Sequence, residues 1–137
     1  MKKLIVLFSS ICILSSTVYA LEDNMFSSLE NLSPVQKNQL TRIYQEYKIK
    51  NNSLETRIME YTSKLNQLKE DTEKTPEQLS VLAGAYERNL NTYKAQQKKL
   101  EQETDLEYQK ILTAEQYEQY KKQQSEVQDA FKQFLPK

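Results

Sequence analysis

The sequence predicts an all-α protein, and three observations predict it. The chain holds one glycine, Gly84, with no histidine and no tryptophan, while Lys, Glu, Gln and Leu recur throughout. That composition suits long helices rather than a sheet. A helix-start signal occurs three times, as Ser33-Pro34-Val35-Gln36, Thr75-Pro76-Glu77-Gln78 and Thr113-Ala114-Glu115-Gln116. After each of them apolar residues recur at alternating spacings of four and three, the period of a helix face.

The first twenty residues read as an export signal. Lys2 and Lys3 precede an apolar run, and Val18-Tyr19-Ala20 offers small residues where a signal peptidase cuts, so cleavage is expected after Ala20. The run is short and diluted with serine, which argues against an uncleaved anchor helix. Cys12 is preceded by Ile11, whereas a lipoprotein site requires a small residue there. The expected boundaries are therefore 1–20 for the signal peptide and 21–137 for a single helical domain.

A short helix is expected over about Asn24 to Asn31, presenting Met25, Phe26 and Leu29. The three helix starts then follow from capping. The first N–H groups of a helix lack partners. A Ser or Thr cap accepts from the third helical N–H, and the Gln at that position reaches back to the cap. Pro34 and Pro76 sit at the first helical position, where no N–H is needed. Leu112 is placed to pack on Tyr117 as a hydrophobic staple. Helix starts are thus expected near residues 34, 76 and 114.

The first long helix carries the seam Leu40, Tyr44, Tyr47, Asn51, Leu54, Ile58, Tyr61, Leu65 and Leu68. The second carries Leu79, Leu82, Tyr86, Leu90, Tyr93, Gln97, Leu100, Thr104, Tyr108 and Ile111. The third carries Tyr117, Tyr120, Gln124, Val127, Phe131 and Phe134. These are heptad-like seams. A clear loop is expected only over 69–77, so the two long helices should form an antiparallel hairpin. Aligned on that loop, Tyr61 pairs with Tyr86, Leu54 with Tyr93 and Asn51 with Gln97. The two polar breaks coincide, and a buried amide pair penalises slipped registers. The hairpin also brings Leu32-Ser33 and Leu112-Thr113 to the same end.

Removing Lys2 and Lys3 leaves 17 basic against 19 acidic residues, a net charge of about −2. That balance exerts no global pull toward nucleic acid or anionic lipid. Neither a nucleic-acid partner nor stable membrane insertion is expected. Beyond Cys12 there is no cysteine, so no disulfide can form in the mature chain. No catalytic constellation is visible, because the commonest general base and the commonest strong nucleophile are missing. Zinc and copper favour imidazole or thiolate, so neither a metal nor another cofactor is expected. Glu101, Glu103, Asp105 and Glu107 alternate at spacings of two, which spreads them around a helix as a solvated face.

One stripe carries a candidate binding function. Ile43, Lys50, Arg57 and Lys64 recur every seven residues beside the first seam and border Tyr47 and Tyr61. Such a strip can hold unfolded chains through charge and apolar contact, long lysine stems covering apolar surface. The plainer reading makes them flanking charges paired to Glu on a partner helix. Met25 and Phe26 divide similarly, between core or dimer interface and an exposed apolar rim.

"LSPVQ" (Leu32, Ser33, Gln36) and "LTAEQ" (Leu112, Thr113, Gln116) resemble the paired LTxxQ motifs of the Spy/CpxP family of small bacterial periplasmic proteins. The "MF" lead-in and the export signal match as well, and the resemblance spans about residues 24 to 122. It implies a cradle-like intertwined homodimer with four helices per chain, in the periplasm of a Gram-negative bacterium. Spy-like members act as ATP-independent chaperones for unfolded or misfolded envelope proteins. CpxP-like members also damp an envelope-stress sensor kinase, whose periplasmic domain is then a further implied partner. The chain departs from the family in being slightly acidic, in lacking a leader bearing His and Met, and in its short C-terminal tail. The competing expectations are a structural coiled-coil protein of the envelope and a periplasmic metal sensor.

Overall fold

The computed structural model describes Phe26 and residues 29–135. The expected signal peptide, Met25 and most of the expected short helix lie outside the described residues; of that helix, Phe26 is helical and Leu29 to Asn31 form a bend and turn. Three helices follow: α1 over Pro34–Glu70, α2 over Pro76–Ile111 and α3 over Ala114–Phe134. No strand occurs among the described residues. With 37 and 36 residues, α1 and α2 each extend roughly 55 Å.

All three helix starts are closed by reciprocal capping boxes. The Ser33 N–H donates to Gln36 Oε1 at 2.9 Å, and the Gln36 N–H donates to Ser33 Oγ at 3.1 Å. Thr75 and Gln78 exchange the same bonds at 3.0 and 3.2 Å, as do Thr113 and Gln116. The linker between α1 and α2 is shorter than the expected 69–77. Lys69 and Glu70 are good helix formers and extend α1. Asp71 then ends it: its Oδ1 accepts from the N–H groups of Glu73 and Lys74, and its Oδ2 pairs with the Lys74 ammonium. At the far end Leu135 is extended, as the residue before a proline prefers.

The chain divides into two compact units. The first comprises the residues up to Leu40 and from Gln109 on. Leu29, Leu40, Leu112 and Tyr120 form its buried core, and Leu40 is completely enclosed. Phe26 stacks on Tyr120 with centroids 5.6 Å apart and rings 9° from parallel. Asn31 takes a left-handed φ of 59°, which Asn tolerates better than most residues, and so turns the chain into the cap of α1.

The second unit comprises Thr41–Tyr108. Two of the expected pairs across its seam are made. Gln97 Nε2 donates to Asn51 Oδ1 at 2.9 Å, and Tyr61 meets Tyr86 at 6.0 Å. Asn51 is only 3% exposed, and its own amide nitrogen donates to Glu55 Oε1 at 3.0 Å. Thr104, also buried, bonds back to the Leu100 carbonyl at 2.7 Å, so a hydroxyl sits in the seam satisfied by its own helix. Tyr61 also stacks on Tyr93 at 5.8 Å, a contact that pairing Tyr93 with Leu54 did not anticipate.

The amide pair yields a stability prediction. Gln97→Leu removes the donor to Asn51 Oδ1 in a nearly closed site and should cost about 1–3 kcal/mol. Adding Asn51→Leu should recover most of that loss, because apolar replacement of both partners is close to neutral. Urea midpoints of the two variants against the parent check the ordering.

Candidate functional site

The first unit gathers the six expected motif residues. Ser33 and Thr113 are exposed caps, Leu32 is half-buried, and Leu112 and Gln116 are buried. Each glutamine amide does more than cap its own helix. Gln36 Nε2 donates to Gln116 Oε1 at 2.9 Å and to the Ile111 carbonyl at 3.0 Å. Gln116 Nε2 donates to the carbonyls of Glu30 and Asn31 at 3.2 and 3.1 Å. Ile111 stands two residues before the Thr113 cap, and Asn31 two residues before the Ser33 cap. Each glutamine therefore secures the chain entering the other motif.

The bond count closes at Gln116. Its Oε1 accepts from the Thr113 N–H and from Gln36, and its two amide hydrogens reach two carbonyls. That uses the full capacity of a primary amide. Beyond the core, Tyr117 lies beside Tyr120, whose hydroxyl accepts from Gln124 Nε2. The third box, in the second unit, is a control within the same chain. Lys74 stands where the motifs have leucine, and the bonds found for exposed Gln78 are those of its own cap.

The candidate binding stripe divides between the units. Phe26 belongs to the first unit, half-buried against Tyr120. Ile43, Tyr47, Lys50, Arg57, Tyr61 and Lys64 belong to the second. Ile43, Tyr47, Tyr61 and Lys64 are half-buried, and Lys50 and Arg57 are exposed. Two of the cations converge on Glu60, which sequence reasoning passed over. Arg57 reaches Glu60 Oε2 at 3.1 Å and Lys64 reaches Oε1 at 2.8 Å. The stripe's charges are thus partly paired, but to a carboxylate on their own helix rather than on a partner helix. The Lys64 ammonium also lies 4.7 Å above the Tyr61 ring and 5.7 Å from that of Tyr86. Spacings of three and four to both cations were the available signal.

Comparison with known protein families, with curated proteins and with solved structures gives no match. The site must be judged on its own chemistry. Among the described residues no helix is long and apolar enough to cross a membrane, and no group of three or more His, Cys, Asp or Glu could hold a metal ion. What the arrangement offers is a bonded junction in one unit, and in the other a strip of tyrosines bordered by cations.

Two expectations follow from these bonds. Gln116→Ala removes a cap and three further bonds at a buried position and should cost roughly 2–4 kcal/mol, against about 1 kcal/mol for Gln78→Ala. Thermal melts of the two variants check the contrast. For Glu60, the hydrogen bond from Lys64, followed by that from Arg57, holds the carboxyl pKa below its ordinary 4.5. Its ion pairs are therefore complete above that value and are lost as pH falls through the lowered one. Carbon-detected titration should show Glu60 protonating below 4.5 in the parent and closer to it in Lys64→Met.

Proposed function

We propose that this chain is a Spy/CpxP-like periplasmic binding protein, an ATP-independent chaperone or envelope-stress modulator that holds unfolded or misfolded proteins. In this reading it is exported by a cleaved signal peptide, α1 and α2 run as an antiparallel hairpin, and two chains form a cradle-like homodimer. A sensor kinase's periplasmic domain is a second partner under the modulator form of the reading. The observation that carries the proposal is the reciprocal bonding of Gln36 and Gln116. It separates the two Leu-preceded boxes from an ordinary capping box, since Gln78 has no such cross-bond among its described contacts. The Asn51–Gln97 bond and the Tyr61–Tyr86 contact support the hairpin.

The stripe supplies the means of holding a client. Tyr47, Tyr61, Tyr86 and Tyr93 are half-buried, offering ring surface without closing it off. Aromatic rings give large contact area and accept cations on their faces. Glu60 sets how much of the neighbouring positive charge reaches a client. The second reading, a structural coiled-coil protein of the envelope, is favoured by that same carboxylate, because a stripe neutralised within its own helix serves assembly as well as capture.

Aggregation suppression with an unfolded client and no nucleotide tests the proposal. Lys50→Glu should weaken suppression roughly two- to five-fold, the scale of one exposed charge pair. Glu60→Gln, which releases Arg57 and Lys64, should strengthen it. Thr113→Ala should lower the melting point by several degrees through its lost cap, and lower activity only as far as it unfolds the protein. A parent protein that suppresses nothing would leave the coiled-coil reading. A Thr113→Ala protein that melts like the parent yet is inactive would make the motif itself a contact site.

A further inference from the structure

The Lys64 ammonium has more around it than an ion pair on a helix surface requires. It donates to Glu60 Oε1 at 2.8 Å, and Glu four residues ahead of Lys is the order a helix favours. The helix alone accounts for that pair. It does not account for the rings. The ammonium lies 4.7 Å above Tyr61 and 5.7 Å from the centroid of Tyr86, which α2 supplies. These two rings are 6.0 Å apart and 55° from parallel, so they stand as two walls rather than as a stack. Tyr93, also on α2, stacks on Tyr61 at 5.8 Å and holds that wall in place. Arg42–Glu46 and Lys99–Glu103 share the spacing of four, but their side chains are between 57% and 82% exposed. Those of Glu60 and Lys64 are 37% and 38% exposed.

Two aromatic faces and a carboxylate around one positive charge are the parts of a cation-binding cage. Lys64 fills it from within, and its hold is weak. Giving up a partly exposed ion pair costs about five-fold in affinity at most. The contact that Lys64 loses with the rings is regained by the cation that replaces it. Displacement strands no charge either: Lys64 moves into water, and Glu60 keeps Arg57 at 3.1 Å on its other oxygen. The setting also selects among cations. A primary ammonium must shed tightly held water, and it gains nothing here that the tethered Lys64 lacks. A quaternary ammonium spreads its charge over methyl groups, holds water loosely and packs those methyls on the half-buried rings.

We propose that Tyr61, Tyr86 and Glu60 form a binding site for a quaternary ammonium group, which Lys64 occupies until such a group displaces it. The rings supply the faces, Glu60 supplies the counter-charge, and Tyr93 fixes the Tyr61 ring. The group can arrive on a free solute or as the head group of a lipid, since both present the same methylated nitrogen. The site stands on contacts within the second unit and does not depend on the client-holding reading. Glu60→Gln separates the two: it should strengthen client holding, as argued above, and weaken the cage.

Titration of the full chain with tetramethylammonium chloride tests it, read from the ring signals of Tyr61 and Tyr86 in NMR spectra. Sodium chloride at equal ionic strength is the blank. The parent should show a saturable shift with a Kd on the order of 10 mM. Lys64→Ala, which removes the tethered competitor and keeps a good helix former, should tighten binding about two- to five-fold. Glu60→Gln should weaken it by about the same factor. Tyr86→Leu should weaken it about five-fold or more. Ring shifts that sodium chloride reproduces overturn the proposal. So does the lack of any shift in Lys64→Ala, where the rings are open and only a surface side chain has changed. Phosphatidylcholine vesicles separate the two sources. Co-sedimentation that tetramethylammonium competes away supports the site with a lipid head group as ligand, and a solution shift without co-sedimentation supports it with a free solute.

Discussion

The first unit depends on one bond, from Gln36 Nε2 to Gln116 Oε1. A helix start leaves N–H groups without partners, and a helix end leaves carbonyls. At this junction α1 starts, α2 ends and α3 starts, so both kinds of orphan group come together. A primary amide answers both, since it accepts and donates at once. This explains why the residue is Gln at both positions. A capping box works as well with Glu, but a carboxylate has no hydrogen for the Ile111 carbonyl or for the other side chain. Glu at either position would leave acceptors facing acceptors. The burial of Gln116 raises that cost, because water cannot replace the missing donors.

How far this was legible in the sequence varies with the range of the interaction. The caps are local patterns of four residues, and all three were readable. Asn51 against Gln97 was readable because a polar residue interrupting an apolar seam needs a counterpart. The carbonyls of Glu30, Asn31 and Ile111 were not, since every residue carries a backbone carbonyl and no letter marks the one in use. Tyr61 illustrates a different limit. Register arithmetic placed it opposite Tyr86, but a ring reaches beyond its own position and stacks on Tyr93 as well. Glu60 was passed over because a spacing of seven picks out the cations, and the anion between them falls at three and four.

Glu60 also changes what the stripe can offer. A row of cations at heptad spacing suggests a uniformly basic edge, yet Arg57 and Lys64 share one carboxylate. Exposed pairs of this kind hold weakly and exchange partners readily. An incoming carboxylate can therefore compete for Lys64 without breaking the fold, and the Tyr61 and Tyr86 rings beneath that ammonium add apolar contact at the same point. Under the proposed function, weak local pairing suits reversible capture better than an unpaired row of cations, which would hold an acidic chain indiscriminately.

The second unit closes little of its seam. Tyr44, Asn51, Thr104 and Tyr108 are buried, and two of those four are polar. Leu54, Ile58 and Leu65 on α1, with Leu82, Leu90 and Leu100 on α2, are only half-buried. Two packed helices bury a single stripe each, and a complete core needs a further layer. The hydrogen bond from Gln97 to Asn51 therefore fixes the seam where apolar closure is thin, and the half-buried residues along its edges stay open to solvent.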